Sequence, residues 1–131
     1  MVDEYGEKLS KEKSEIFHKI VANMVFTTKR ARPDTGTSIS YLTTRVREPD
    51  QRDWLKMVHL FKYITGTNDL PLILIADKNV ILKCYIGGSY DVHPNMRGTT
   101  GGGLTMGQGF PISASSKQKT NTRRFSESEI V

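Results

Sequence analysis

A single cysteine, Cys84, cannot close a disulfide, and the three histidines, His18, His59 and His93, are scattered without zinc-ligand spacing. These shortages exclude a disulfide-stapled scaffold and a structural zinc module. Long apolar runs are also missing: the longest, residues 70–76, is interrupted by Pro71, far short of the roughly 18 residues a membrane-spanning helix needs. The N-terminus, Met-Val-Asp-Glu-Tyr-Gly-Glu, is acidic and lacks a following apolar stretch, so neither a secretory signal nor a mitochondrial leader is expected. The expected address is intracellular, cytoplasm or nucleus, with no membrane partner. Aromatic residues make up only 8% of the chain. Counted with glycine and without tyrosine, the apolar share is about 41%, under the usual 45–50% of globular chains, so the core should be lean. There is no internal repeat and no heptad. The one biased tract, Gly101-Gly102-Gly103, has no Lys-Ser/Thr after it, which rejects a P-loop.

What is present is 131 residues, enough for one domain or two fragments, with a net charge of +5. The charge is uneven. Five acids among the first 15 residues (Asp3, Glu4, Glu7, Glu12, Glu15) face three lysines, leaving about +7 on the rest. A basic body of this size suits a polyanionic partner, because each neutralised phosphate releases counterions, and it equally suits an ordinary soluble surface.

The first half has helical periodicity. Ser10 is a usable N-cap without a full capping box, and Ile16, Ile20, Met24 with Phe17, Val21, Val25 recur at helical spacing up to Arg30. Arg32-Pro33-Asp34 breaks that helix, and Pro33 or Asp34 opens a second one carrying Ile39, Leu42 and Val46 on one face. After Glu48-Pro49, Asp50 caps a third helix with Asp53 in its first turn. That helix carries Trp54, Val58, Phe61, Leu55 and Ile64, and Gly66 stands where a terminating glycine belongs. Beyond Thr67 the pattern turns to strand. Residues 72–76 and 80–86 are β-rich and are separated by Asp77-Lys78-Asn79, which predicts a hairpin. A weaker strand over 104–106, a turn at Gly107-Gln108-Gly109 and a strand over 110–114 complete a meander. The serine and glutamates of residues 126–131 resemble the first turn of a helix.

Read in order, these landmarks resemble a particular family. Lys29-Arg30-Ala31-Arg32-Pro33-Asp34, Leu42-Thr43-Thr44-Arg45-Val46, Trp54 and Phe61-Lys62-Tyr63-Ile64-Thr65-Gly66-Thr67 look like the RxRPD, L-x-x-R, W and YL-x-GT stretch that links reverse transcriptase to ribonuclease H in copia-type retrotransposon Pol polyproteins. The likeness continues without a gap. Residues 85–96 (YIGGSYDVHPNM) are similar to that family's YVDASYAVHPDM, Thr100-Gly101-Gly102 to its TGG, and Lys117-Gln118-Lys119, Asn121-Thr122 and residues 126–131 to its KQK, NT and STEAELV. The collinear likeness covers about residues 12–131. It implies an α+β chain: an acidic N-terminal tail over 1–12, a helical connection over 13–68, and an incomplete ribonuclease H-like antiparallel sheet over 69–131, three strands plus the start of a helix. No Tyr-x-Asp-Asp occurs, so RNA-directed DNA polymerase chemistry is not expected.

Ribonuclease H chemistry needs a carboxylate cluster that holds two divalent cations about 4 Å apart. In the resembling family the first carboxylate is the aspartate of the VDAS motif, and its position here is Gly87, which is vacant. The second maps to Glu129, a catalytic and metal-ligand position in an intact relative; the remaining two are expected beyond Val131. One ligand of four does not assemble a Mg²⁺ pair. Mg²⁺ is thus implied for intact members and no cofactor for this chain. Asp91, roughly 13 Å along a strand from Gly87, does not substitute. On its own, Glu129 also reads as a carboxylate favoured at a helix N-terminus. His93 before Pro94 reads as a turn residue, His59 as a surface or half-buried helical histidine, and Cys84 as a small core residue.

Lys117, Lys119, Arg123 and Arg124 form a candidate nucleic-acid-binding group, and Lys29, Arg30 and Arg32 a second; both also suit a solvated loop. Without interleaved aromatics they do not signal a stacking platform. The resemblance leads to a degenerate fragment of a Pol polyprotein, expected to be inactive. Two alternatives stand beside it: a module binding RNA/DNA hybrid, or a fragment requiring a partner chain. No small-molecule cofactor is expected, and the oligomeric state is left open.

Overall fold

Ser10 opens the first helix through its side chain. Its hydroxyl accepts the Lys13 N–H at 3.4 Å, and α1 runs over Lys11–Arg30. The computed structural model describes residues 6–122. Lys29 and Arg30 occupy the last turn of α1, where cations favour the helix dipole. Pro33 then stops the chain from continuing straight. A 3-10 turn over Pro33–Thr35 feeds directly into the short α2, Gly36–Thr43. The corner is cross-tied: the buried hydroxyls of Thr28 and Thr35 lie 2.8 Å apart, and Arg32 binds Asp34 at 2.8 Å and donates to the Thr67 hydroxyl at 2.6 Å.

The third helix, α3, covers Gln51–Gly66. Its start is a full capping box, with Asp53 N–H donating to the Asp50 carboxylate at 2.8 Å and Asp50 N–H donating to the Asp53 carboxylate at 3.1 Å. Its inward face differs from the expected one. Asp53, Met57 and Leu60 are buried, whereas Leu55 is 65% exposed and Phe61 is also exposed. The reason is electrostatic: Asp53 is drawn inside by its capping bonds and by Arg45, and the stripe that shares its face is 53, 57, 60 and 64. Gly66 is the last helical residue, and Thr67, not Gly66, closes the helix through its N–H to the Ile64 carbonyl.

Among the described residues the hydrophobic core lies within these helices and consists of Phe17, Val21, Met24, Ile39, Leu42, Met57 and Leu60. At about 1.5–3 kcal/mol per buried side chain, it is the chief stabilising element of the fold. Val46 packs on it from the turn after α2. Part of the acidic N-terminal segment joins this half, since Leu9 N–H donates to the Pro49 carbonyl and Gln51 N–H to the Glu7 carbonyl.

The rest is antiparallel sheet. Strand β1 (Ile75–Ala76) pairs with β4 (Gly107–Gln108), and β2 (Lys83–Ser89), β3 (Thr99–Thr105) and β5 (Ile112–Lys117) form a three-stranded sheet in the order β2-β3-β5. The described residues are therefore α+β, with three α-helices and two antiparallel sheets. The hairpin expected between residues 72–76 and 80–86 does not form. The turn itself is present, closed by Val80 N–H to the Asp77 carbonyl, but Asp77 N–H donates to the Met106 carbonyl and ties β1 to the far end of β3 instead. Val80, a β-branched residue, sits at φ 44° in consequence. The expected turn at Gly107-Gln108-Gly109 is partly strand. Gly107 and Gly109 are required there, because a Cβ on either would strike the backbone of the segment around Ile73 and Ile75. The sheet edge also overturns the reading of Cys84 as a core residue, since it is exposed on β2. No helix of the described residues is long and apolar enough to cross a membrane.

Candidate functional site

Gly87 lies on the edge strand β2, paired with Gly101 on β3. A Cβ built on it meets nothing within 4 Å, so the position is open rather than filled by a neighbour. Beside it lies a concavity of about 610 Å³ with Leu72, Tyr85, Gly103 and Phe110 in its walls. Its one carboxylate, Asp34, is committed to Arg32 and to the Tyr63 hydroxyl at 2.8 Å, and the bond from Arg32 holds its acid below the ordinary carboxylate range. Asp91 stands past the end of β2, exposed and at φ 52°. Among the described residues no three histidine, cysteine or acidic side chains gather where a metal ion could be held. The residues around Gly87 do not fit a magnesium pair. Glu129 lies outside the described residues.

The basic residues divide into three cases. Lys117 is half-buried at the end of β5, Lys119 is exposed, and Arg123 and Arg124 lie outside the described residues. Lys29 and Arg30 are exposed at the end of α1, where the Arg30 guanidinium covers the Phe26 ring at 4.6 Å. Lys29 also lines a groove of about 730 Å³ whose opposite wall is residues 111–115 of the β5 segment. Arg32 is taken up structurally by Asp34, Thr67 and Tyr63, so its guanidinium holds the 3-10 turn before α2 to the end of α3.

His93, read from the sequence only as a turn residue, is buried at the junction of helices and sheet. His93 is 4% exposed, stacks on Tyr41 of α2 with centroids 5.4 Å apart, and shares a 3.1 Å hydrogen bond from Nε2 with the Thr99 hydroxyl. Its role as a turn residue holds, since its carbonyl accepts the Met96 N–H. Nothing in the sequence around it signals its burial. Thr99 pairs directly with Lys117 across the sheet, and His93 N–H donates to the Arg97 carbonyl. Burial, with Lys117 as the second cause, pushes the His93 imidazole below its ordinary value; burial and the positive charges of Arg97 and Arg45 push the Lys117 amine down. Arg45 differs from the other cations. It bonds Asp53 at 2.9 Å and lies 3.8 Å from Asp50; burial opposes its charge, but the Asp53 hydrogen bond and the surrounding negative charge hold it above its ordinary value.

Over 102 residues the chain is 26% identical to a Saccharomyces cerevisiae protein whose name assigns it to transposon Ty5-1, an alignment covering 78% of this chain and 33% of the relative. The chain thus spans about a third of the length of the curated relative it matches, and its sequence is similar to that of a transposon protein. No known family profile matches it, and no solved structure matches it.

Proposed function

We propose that this chain is a segment of a copia-type retrotransposon Pol polyprotein that contacts nucleic acid without cutting it. Residues 13–68 are read as the helical connection after reverse transcriptase, and residues 69–131 as the front of a ribonuclease H-like domain. Three supports converge: the collinear motifs, the similarity to a transposon protein, and the meander β2-β3-β5, whose three antiparallel strands follow the order expected for the opening of such a domain. Gly87 carries the functional part. Two-cation hydrolysis needs a carboxylate from that strand, and a hydrogen in place of a side chain leaves the metal pair without its first ligand.

Purified chain mixed with an RNA/DNA hybrid in Mg²⁺ or Mn²⁺ should retain the hybrid, prefer it over heparin, and lose it steeply as log salt rises, while the RNA strand stays intact. EDTA-sensitive degradation of that strand overturns the reading. Equal binding to hybrid and heparin removes the nucleic-acid contact from it. A second reading, a fragment that needs a partner chain, is favoured by exposed apolar residues from Leu70 to Ile86. Aggregation of the isolated chain, relieved by co-expression with the remainder of a Pol polyprotein, would distinguish it.

A further inference from the structure

We propose that Lys117, Arg97 and His93 form an anion site that takes a single phosphate group at the junction of helices and sheet. The first ground is an imbalance of charge. Lys117 and Arg97 are both half-buried, and the ion pairs of the described residues assign every participating acid elsewhere: Glu48 to Lys8, Asp34 to Arg32, and Asp50 and Asp53 to Arg45. Two neighbouring cations without a carboxylate repel each other and lose hydration, a cost that an anionic ligand offsets. The second ground is independent of charge. His93 is buried, its Nε2 is engaged with Thr99, and its Nδ1 has no hydrogen-bond partner. If the Thr99 hydroxyl donates to Nε2, the ring proton sits on Nδ1, a buried donor waiting for an acceptor.

Backbone pairing brings the three residues into one segment of the fold. Lys117 is the direct cross-strand partner of Thr99, Thr99 binds His93, and His93 and Arg97 close one turn through the His93 N–H to Arg97 carbonyl bond at 3.1 Å. A planar guanidinium, a point-charge ammonium and an imidazole N–H are the donor types that suit a tetrahedral oxyanion with several acceptor oxygens. A nucleobase does not suit the place, because the nearby Tyr41 is already occupied by the His93 ring and by Lys56, whose Nζ lies 4.3 Å from its centroid. The ligand chemistry is therefore phosphate without base recognition, from a nucleic-acid backbone or from free phosphate. Only the first source rests on the nucleic-acid reading above; the site itself does not.

The test uses the whole chain in two arms. Inorganic phosphate is titrated against chloride at matched ionic strength, with the His93, Arg97 and Lys117 resonances followed by NMR. In the second arm, affinity for an RNA/DNA hybrid is measured at fixed salt. Arg97→Gln/Lys117→Met is compared with the parent and with Lys119→Gln, an exposed lysine outside the cluster. The expected result is a saturable shift with phosphate but not chloride, absent from the double variant, whose hybrid affinity falls about a hundredfold, or about tenfold per charge-assisted contact. The same loss for hybrid without saturation by free phosphate also supports the site, with the backbone as its source. Saturation by phosphate with hybrid affinity unchanged in the double variant keeps the site and removes the nucleic-acid contact from it. No saturation in the parent and no difference between the two cation variants on hybrid overturns the site. Should the double variant fail to fold, Lys117→Met alone is read in the same arms.

Discussion

The helical half and the sheet half of this chain solve the same problem unequally. All seven core residues lie between Phe17 and Leu60, on α1, α2 and α3. In the sheet half, Leu70, Leu72, Ile73, Leu74, Ile75, Val80, Ile81, Leu82, Tyr85 and Ile86 are all exposed, Ile86 at 73%. Hydrogen bonding does not explain the difference, since the central strand β3 is laddered to β2 on one side and to β5 on the other. The sheet is held by its ladders, while among the described residues these apolar side chains stay exposed. Its stability therefore depends on cross-strand pairs and on its junction with α2, where Ser40 donates to the Ser115 carbonyl at 3.0 Å and Tyr41 stacks on His93. Apolar composition and apolar burial are distinct properties, and in this chain they separate at about residue 68.

The sharpest way to break that comparison is to truncate one apolar side chain in each half. Leu42, 2% exposed, sits at the centre of the helical core, and Leu42→Ala should cost about 3 kcal/mol through lost burial and the cavity left behind. Ile86→Ala should cost under about 0.5 kcal/mol, because its side chain is already in water. Urea unfolding of both variants measures the difference. Equal losses would mean that the sheet face is covered in solution.

This asymmetry follows how much was legible in the residues. The helices could be read because their signals are local: Ser10, Asp50 and Asp53 cap, Pro33 and Pro49 interrupt, and the 3.6-residue period selects Phe17, Val21 and Met24. The α3 face was read only in part: Trp54 and Ile64 pack on the core as expected, but an apolar count could not anticipate that Asp53 would be pulled inward by Arg45 while Leu55 and Phe61 stay exposed. Strand partners are non-local. Residues 72–76, 80–86 and 104–106 all had strand character, and choosing among pairings required knowing that the Asp77 N–H reaches the Met106 carbonyl. For the candidate site, Gly87 was found through family resemblance alone, since a glycine in a strand carries no chemical signal. The proposed grouping of His93, Arg97 and Lys117 was invisible because it depends on a cross-strand register and on Tyr41 of α2 stacking on His93.

Val80 sharpens the comparison from the side of strain. Its φ of 44° is unfavourable for a β-branched residue, and the turn that imposes it is the one that diverts β1 away from β2. Val80→Gly should stabilise the chain by about 1 kcal/mol, less whatever the freer glycine gains in the unfolded state. Because Val80 is 60% exposed, little packing is lost. Thermal unfolding reads the gain, and a loss would mean that Val80 is held by contacts that the exposed sheet face does not display.

The smallest effect tests the junction itself, through its dependence on pH. His93 is held below its ordinary pKa of 6.5 by burial and by Lys117, so the folded chain binds a proton there less readily than the unfolded chain does. Stability from this group is complete above about pH 6.5. It declines as pH falls from there towards the lower folded value, because only the unfolded chain takes the proton, and it levels off once both states are protonated. The depressed Asp34 and Asp50 act in a separate window, since their contribution is lost only below their ordinary 3.8. His93→Gln should therefore flatten the near-neutral part of the stability profile and leave the acid limb in place. The Tyr41 contact links this histidine to α2, so the flattening should be seen by far-UV helix signal and by Tyr fluorescence at the same denaturant midpoint. Two separate midpoints would show that the sheet half opens on its own, and that the helices are stable without it.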